Sequence, residues 1–338
     1  MPTCVDLFSG CGGLSYGFGQ AGFDVVLGVD NDKAALQTFE KNHPGSKALP
    51  LDISELDFIE RVKQEVGEKR IDVIIGGPPC QGFSLTGPRN FDDPRNTLYL
   101  SFLDAVKNLK PKAFLIENVP GMATMYNGAI REQIEARCED MGYNVTFKLV
   151  CAADYGVPQM RKRVLFVGVD KSLDEKFHFP DPTHSPENYV TCEQAIGDLP
   201  SRENDFGLEG DEYVDKPKSV YQKKMRKGAK QLMNHIATRH TALVKDVISQ
   251  VPEGGNHKDL PPGVGESRKF NEAWTRYHSQ KPSRTIDTGH RNHFHYKWNR
   301  VPTIRENARL QSFPDTFVFY GNKKWWARRD LNTRQRDY

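Results

Sequence analysis

The chain has 338 residues, and its 47 basic and 44 acidic side chains leave a formal net charge of +3. This length can bury a large core in one domain or in two unequal domains, while the balanced charge gives no whole-chain indication of a nucleic-acid partner. The sequence contains no run of 18 apolar residues, so it predicts no membrane-spanning helix. Its six cysteines are scattered and form no C-x-x-C pair, which argues against a disulfide framework or a zinc site. We therefore expect a cytoplasmic protein.

Strand-like apolar runs alternate with amphipathic helical stretches through the first half of the chain. Strands are predicted at 3–8, 24–29, 47–51, 72–76, 112–117, 144–150 and 163–169, with helical periodicity in most of the segments between them. This βαβα alternation predicts an α/β fold with a doubly wound, mostly parallel sheet covered on both faces. Ligands of such folds bind beyond the carboxyl ends of the strands.

The alternation ends near residue 170, where prolines and charged residues become more frequent. We expect a catalytic and cofactor-binding domain over 1–174 and a smaller, irregular domain over 175–278. The apolar pattern returns in ENARLQSFPDTFVF, which predicts that this stretch packs against the first domain or the hinge. We expect a hinge and return segment over 279–320. Residues 321–338 form an atypical basic tail.

A glycine-rich turn follows the first predicted strand, where VDLFSGCGGLSYGF contains Gly10, Gly12 and Gly13. Glycines let the backbone bend sharply and approach a ligand, and the next helix presents N–H donors. The G-x-G-G spacing is not the dinucleotide fingerprint, which argues against an NAD-dependent oxidoreductase. A plain tight turn remains the alternative.

Two acids end the next two predicted strands. Asp30 lies about twenty residues beyond the glycine turn, where a carboxylate can accept hydrogen bonds from a ribose, and Asp52 could meet an adenine amino group. The alternative is that both acids cap the following helices. Beside the glycine turn, the pair favours an adenosine-containing ligand.

Three further strand ends carry reactive or charged side chains. Cys80 follows Pro78 and Pro79, which stiffen its turn and favour a placed thiol over an ordinary buried cysteine. Glu117 ends the fifth strand, as an acid at the same edge or as a helix cap. Arg161 and Arg163, two residues apart, share one face of a strand and could fix an anion or a polar ring edge, or form an ordinary charged strand edge.

Taken in order, these residues resemble the C5-cytosine-specific DNA methyltransferase family. The matching blocks are DLFSGCGGLSYGF, the acid of GVDND, LDI, GGPPCQGFS, ENV, QMRKRV and PSRTI…TIRENARLQSFPD, which span most of residues 3 to 322. The resemblance implies a Rossmann-like, S-adenosylmethionine-dependent catalytic domain and a target-recognition domain in the second region. Within this family, we expect a bacterial or phage enzyme of the restriction–modification type.

The resemblance also implies roles for the site residues. Cys80 would attack carbon 6 of a cytosine flipped out of duplex DNA, Glu117 would hold ring nitrogen 3 and the amino group, and Arg161 and Arg163 would orient the base and the acid. A base would then remove the proton from carbon 5, and the thiolate would leave. The implied cofactor contacts are Phe8, Ser9, Gly10, Gly12, Gly13, Asp30, Asn31, Asp52, Ile53 and Pro79.

Implied DNA contacts fall in two places. Residues 82–96 match the family's active-site loop, and the contacts there and beside it are Gln81, Ser84, Thr86 and Arg89. In YQKKMRKGAK the contacts are Lys223, Lys224, Arg226 and Lys227, which would meet phosphates; alone, the run would read as a solvated face. His290, His293 and His295 lack an accompanying carboxylate or cysteine, and we expect no metal.

The implied partners are double-stranded DNA and a cognate restriction endonuclease, and we expect a monomer associated with the nucleoid. After TFVFYGNK the family's closing GN-x-V-P block is not matched. Three hypotheses follow: a truncated weak enzyme, a subunit completed by a second chain, or an inactive relic that binds DNA. Three rival classes also stay open at this point, namely an RNA cytosine methyltransferase of the same family, an amino-group DNA methyltransferase and a non-enzymatic DNA-binding module.

Overall fold

The computed structural model describes residues 1–79, 98–124, 128–264, 273–286 and 292–321. All seven predicted strands are present, each within one residue of its predicted bounds at either end. The strands of the first half are β1 (Thr3–Leu7), β2 (Asp24–Asp30), β3 (Lys47–Pro50), β4 (Val73–Gly76), β5 (Ala113–Asn118), β6 (Tyr143–Cys151), β7 (Gln159–Met160) and β8 (Lys162–Asp170). Its helices are α1 (Gly13–Gln20), α2 (Lys33–Asn42), α3 (Phe58–Val66), α4 (Leu98–Leu109), α5 (Gly121–Thr124) and α6 (Ala129–Asp140).

Seven of these strands form one sheet in the order β3-β2-β1-β4-β5-β8-β6. β8 runs antiparallel to both of its neighbours, and the other pairs are parallel, so the predicted doubly wound, mostly parallel sheet is confirmed. The chain leaves β1 toward β3 on one side and returns to β4 on the other. The crevice between the ends of β1 and β4 is therefore the switch point where such sheets bind ligands.

Apolar side chains on one face of the sheet fill the main core, and a second buried cluster that contains Cys4, Val25 and Ile75 lies on the opposite face. The fully buried side chains of the main core include Leu7, Leu27, Ile74, Phe102 and Phe114. The central strands β1, β2 and β4 are almost wholly buried, as is expected of parallel strands covered on both faces, whereas the edge strands β3 and β6 are partly exposed. None of the helices in the described ranges is long and apolar enough to cross a membrane.

The second half has little regular structure, as predicted. Its short elements are α7 (Cys192–Ile196), α8 (Val220–Arg226), α9 (Ala242–Gln250), β9 (Thr275–Arg276), β10 (Ser283–Arg284), β11 (His293–Phe294) and α10 (Ile304–Arg309). Buried ion pairs help to hold it: the guanidinium of Arg309 lies 2.5 Å from Asp198 and 2.7 Å from Asp315. The predicted boundaries stay predictions, and one buried cluster joins Ile196, Leu232, Tyr277, Ile286 and Leu310 across them.

Two contacts bring the end of the described chain back onto the first half. β10 pairs in parallel with β7. Phe313, Phe317 and Phe319 pack against Cys11 and against Tyr16 on α1. The expectation that ENARLQSFPDTFVF packs against the first domain is confirmed, and this packing places the return segment beside the glycine turn.

Candidate active site and cofactor crevice

The glycine turn after β1 has left-handed backbone at Phe8 (φ 62°), Gly10 (φ 55°) and Gly12 (φ 88°). The N–H of Ser9 donates to the carbonyl of Val29 (3.0 Å), and the N–H of Gly10 donates to Oδ2 of Asp30 (3.0 Å). The turn is therefore fixed onto the end of β2.

The two acids do not cap helices, so the helix-cap interpretation is wrong for them. Asp30 is buried and accepts the N–H of Asp32 (2.8 Å), whereas Asp32 itself caps α2. Asp52 accepts the N–H of Ser54 (3.0 Å) and the side-chain amide of Asn31 (3.1 Å), well before α3 begins. These bonds gather the acids and Asn31 at neighbouring strand ends, and their contact with a ribose or adenine remains a prediction.

Two observations indicate that the crevice can bind a small polar ligand. A Cβ placed on Gly10 would meet no atom of the described residues within 4 Å, so among them space is open beside the turn. The hydroxyl of Ser9 is buried and has no hydrogen-bond partner in the described part of the chain, which is unusual for a buried polar group without a ligand or water.

The other predicted cofactor residues divide between crevice and core. Gly13 begins α1 at the turn, and Pro79 is the last described residue after β4. The side chains of Ile53 and Phe8 contribute to the main core. Gly12 lies against the ring of His43, so there the lack of a side chain is needed for packing.

Glu117 lies at the end of β5, beside the first residues of β8. Its Oε1 accepts a hydrogen bond from Nε of Arg163 at 2.9 Å and lies 3.5 Å from Nη2 of Arg161. All three side chains are at most 17% exposed. The structure brings these predicted catalytic residues together, and the helix-cap and charged-edge interpretations are wrong.

The sequence reasoning missed Asn118, which contacts the turn that carries Cys80. Its buried side-chain amide donates to the carbonyl of Pro78 (2.8 Å) and accepts the N–H of Val119 (2.8 Å). A Cβ on Gly77 would lie 3.3 Å from Oε2 of Glu117, so this turn passes close to the carboxylate. The ENV block contained the signal, because an amide next to a strand-end acid can cross-link two strand ends.

Gln159 was also missed. Its side chain is fully buried, and neither amide atom has a hydrogen-bond partner within the described ranges. Period-two spacing with Arg161 and Arg163 in QMRKRV was the available signal. Cys80, Gln81, Ser84, Thr86 and Arg89 lie outside the described residues.

The basic residues on and just after α8 fall into two groups, namely exposed lysines and one arginine that contacts other parts of the protein. Lys223, Lys224 and Lys227 are exposed. Arg226 instead stacks on the ring of Tyr213 (3.8 Å to the centroid), lies 3.2 Å from Asp198 and donates to the carbonyl of Asp215 (2.6 Å). Arg226 therefore anchors the helix, while the lysines form the surface that can meet phosphate.

No group of three potential metal ligands occurs among the described residues. His293 and His295 are both buried, and His290 lies outside the described ranges. Burial lowers the pKa of His295 to about 3; the charge of Arg300 acts in the same direction, and the carboxylate of Glu306 acts against it.

The sheet order and the crevice at its switch point define a doubly wound, Rossmann-like α/β protein, and the carboxylate–diarginine cluster is suited to holding a polar ring. Residues 2–332 match the family model for C-5 cytosine-specific DNA methylases, and the chain belongs to this family.

Known proteins agree with this assignment. The type II methyltransferase M1.HphI of Haemophilus parahaemolyticus is 39% identical over 95% of this chain and 80% of its own length. The type II methyltransferase M.DdeI of Desulfomicrobium norvegicum is 37% identical over 94% of this chain and 80% of its own length. A solved DNA modification methyltransferase encoded within an E. coli prophage has a TM-score of 0.74 and 29% identity, over 97% of this chain and 93% of that one.

The protein is therefore a DNA (cytosine-5)-methyltransferase, which adds a methyl group from a donor to carbon 5 of cytosine. These relatives are named type II methyltransferases, so the RNA-directed, amino-group and oxidoreductase interpretations have no comparable support.

Proposed function

We propose that this enzyme methylates one cytosine within a specific duplex DNA sequence, with S-adenosylmethionine as the donor and Cys80 as a covalent nucleophile. The observation that carries the proposal is the placement of Glu117. Its carboxylate is bonded by Arg163 and flanked by Arg161 on the strand end next to the turn that leads to Cys80.

S-adenosylmethionine fits the crevice between β1 and β4. When bound it would supply an electrophilic methyl group on a sulfonium. Ser9 and the backbone of the glycine turn are suited to binding its amino-acid end, and Asp30 and Asp52 to binding its ribose and adenine. The support is the open space at Gly10 and the unpartnered hydroxyl of Ser9 among the described residues.

The chain's own residues would activate the base. The Cys80 thiolate adds to carbon 6 of the flipped-out cytosine. The electron pair of the carbon 5–carbon 6 double bond is displaced into the ring, and the resulting enamine is nucleophilic at carbon 5 toward the methyl group. Glu117 holds ring nitrogen 3 and the amino group while the charge develops, with Arg161 and Arg163 fixing its orientation. After methylation, a base takes the proton from carbon 5 and the thiolate leaves carbon 6, which restores the ring.

DNA would lie against the exposed lysines of the α8 surface, Lys223, Lys224 and Lys227. Such contacts bind phosphates and do not read sequence, so other parts of the recognition segment would contact base edges. Loop residues Gln81, Ser84, Thr86 and Arg89 are proposed on the family resemblance. A cognate endonuclease that cleaves the unmethylated site is proposed because the relatives are named type II methyltransferases.

The proposal is tested by a covalent trap. Duplex DNA of random sequence that contains 5-fluorocytosine is incubated with the protein and S-adenosylmethionine, and adducts are separated on a denaturing gel. Fluorine cannot leave as a proton does, so the enzyme should stall on the DNA. We expect an adduct with the wild-type protein and none with Cys80→Ala, and sequencing the trapped DNA would give the target. An adduct that persists in Cys80→Ala would refute the assigned nucleophile.

A further inference from the structure

Residues 317–320 form an extended segment whose backbone groups are bonded by side chains from two separate parts of the molecule. Asn42 accepts the N–H of Val318 (2.9 Å) and donates to its carbonyl (2.8 Å). Thr38 accepts the N–H of Tyr320 (3.0 Å) and donates to its carbonyl (3.1 Å). Both of these side chains come from α2.

The intervening residues are bonded from the other side. Asn234 accepts the N–H of Phe319 (2.8 Å) and donates to its carbonyl (3.0 Å). The carbonyl of Phe317 accepts a hydrogen bond from the buried guanidinium of Arg305 (2.7 Å). Backbone groups of an extended chain point alternately to opposite sides, so the 317–320 segment joins α2 on one edge to the second half on the other.

On its α2 edge, the segment contacts the helix that starts at the cofactor crevice. Asp32 caps α2, and the N–H of Asp32 donates to Asp30, which also holds the glycine turn. Thr38 is fully buried about one and a half turns farther along this helix. A shift of the segment would therefore move α2 relative to the turn that is proposed to bind the cofactor.

On its other edge, the segment is linked to the α8 surface. The N–H of Asp315 donates to the carbonyl of Met225 on α8 (2.8 Å), and Asp198 pairs with both Arg226 and Arg309. Asn234 has left-handed backbone (φ 61°), and its N–H donates to Glu209 (2.7 Å), so the position of its amide is closely determined.

We propose that Thr38, Asn42 and Asn234 are positioning residues that couple DNA binding at the α8 surface to cofactor binding, through the 317–320 segment. The inference rests on the proposed cofactor and DNA sites. Duplex DNA bound by the lysines would fix the position of α8. The hydrogen bond from the N–H of Asp315 to the carbonyl of Met225 would then fix the position of the 317–320 segment, and the segment would fix the position of α2. Because coupling is reciprocal, cofactor binding strengthens DNA binding by the same factor.

The test measures the dissociation constant of S-adenosylhomocysteine, which cannot be turned over, with and without saturating duplex DNA of random sequence. Random sequence suffices because phosphate contacts are independent of sequence. For the wild type, we expect DNA to tighten binding by at least about fivefold. A wild-type ratio within twofold of one overturns the proposal.

The variants separate coupling from simple loss of structure. Thr38→Val keeps the volume and removes both bonds to Tyr320, and should bring the ratio close to one. Thr38→Ser keeps the hydroxyl and should preserve the ratio. Asn234→Gly removes the amide while tolerating the left-handed backbone, and should act like Thr38→Val. If Asn234→Gly does not fold, the Thr38 pair alone decides.

Asn256→Ala is the matched control, because it removes a side chain that accepts the N–H of Lys258 (2.9 Å) wholly within the second half. Its ratio should equal that of the wild type. Wild-type coupling retained in Thr38→Val overturns the proposal. Because the 5-fluorocytosine trap reports the wild-type reaction separately, the failure of one proposal is distinguishable from the failure of the other.

Discussion

Nε of Arg163 donates to Oε1 of Glu117 over 2.9 Å, across the adjacent antiparallel strands β8 and β5. This bond lets the sheet itself orient the carboxylate, since each residue belongs to a rigid strand. Arg161 adds a second cation 3.5 Å from the same oxygen. The carboxylate of Glu117, which is proposed to hold the cytosine, is therefore already oriented in the protein without substrate.

Loss of this orientation should slow the reaction more than it weakens binding. We expect Arg163→Lys to lower kcat by about 10- to 100-fold, because lysine keeps the charge but lacks the planar, fixed donors of arginine. Affinity for S-adenosylmethionine, measured by calorimetry, should change less than about threefold, well under a tenfold step of about 1.4 kcal/mol. An unchanged kcat would contradict the orienting role.

The turn that carries Cys80 should depend on Asn118. Asn118→Asp keeps the size but cannot donate to the carbonyl of Pro78. We expect the rate of the 5-fluorocytosine adduct to fall by about 10-fold or more, since one lost hydrogen bond to a buried acceptor costs about 1–3 kcal/mol. Rapid-quench measurement of adduct formation checks this. Asn108→Asp, on the exposed face of α4, is the control and should react like the wild type.

Gly12 should not tolerate a side chain. A Cβ there would lie 2.4 Å from Cε1 of His43 and 2.7 Å from Cδ2 of Phe39, on backbone with φ 88°. We expect Gly12→Ala to destabilise the protein by about 1–3 kcal/mol in urea melts and to weaken cofactor binding.

Gly22→Ala separates backbone strain from the clash, because Gly22 has a similar φ of 93° and a Cβ there would meet nothing within 4 Å in the part of the chain that the structure describes. It should show only the cost of the left-handed backbone. Equal losses of stability in the two variants would mean that the contact with His43 is unimportant.

Stability should decline in mild acid because of buried histidines. Burial lowers the pKa of His235 to about 4 from its ordinary value of 6.5, while its ring bonds Thr303 and the carbonyl of Pro200. The unfolded chain binds the proton more readily, so this contribution is fully present above pH 6.5 and is lost as the pH falls toward 4. The loss is on the order of 3 kcal/mol.

Urea unfolding from about pH 8 to about pH 4 measures this dependence. His235→Gln should flatten the curve between pH 6.5 and 4, relative to the wild type. A wild-type curve that is flat over this range would exclude a buried neutral His235.

Selective alkylation should identify the reactive thiol. Cys4, Cys11, Cys138, Cys151 and Cys192 are buried, and burial raises the pKa of Cys11 and Cys138 to about 12. Since the thiolate is the reactive form, iodoacetamide should label Cys80 first in the native protein and abolish adduct formation. Peptide mass spectrometry locates the label, and prior labelling of one of the five buried cysteines would contradict the assignment.

The sequence by itself determined the strands, the glycine turn and the motif order that identifies the family. Strand bounds were predictable to within one residue, most directly for the buried central strands, which need apolar runs that end where the chain reaches the rim of the sheet. Cys80, Glu117, Arg161 and Arg163 were predicted as site residues from their positions at the ends of strands and from the family motifs together, and their roles stay predictions.

Only the tertiary structure decided which of these groups meet. Glu117 and Arg163 are 46 residues apart, Asn118 and Pro78 are 40 apart, and Asn42 and Val318 are 276 apart. Arg226 looked like its lysine neighbours in the sequence, yet it packs on Tyr213 and pairs with Asp198. Periodicity reports whether a residue is buried, but the partner of a polar group depends on which strands and segments become neighbours, and that is settled only when the sheet order forms.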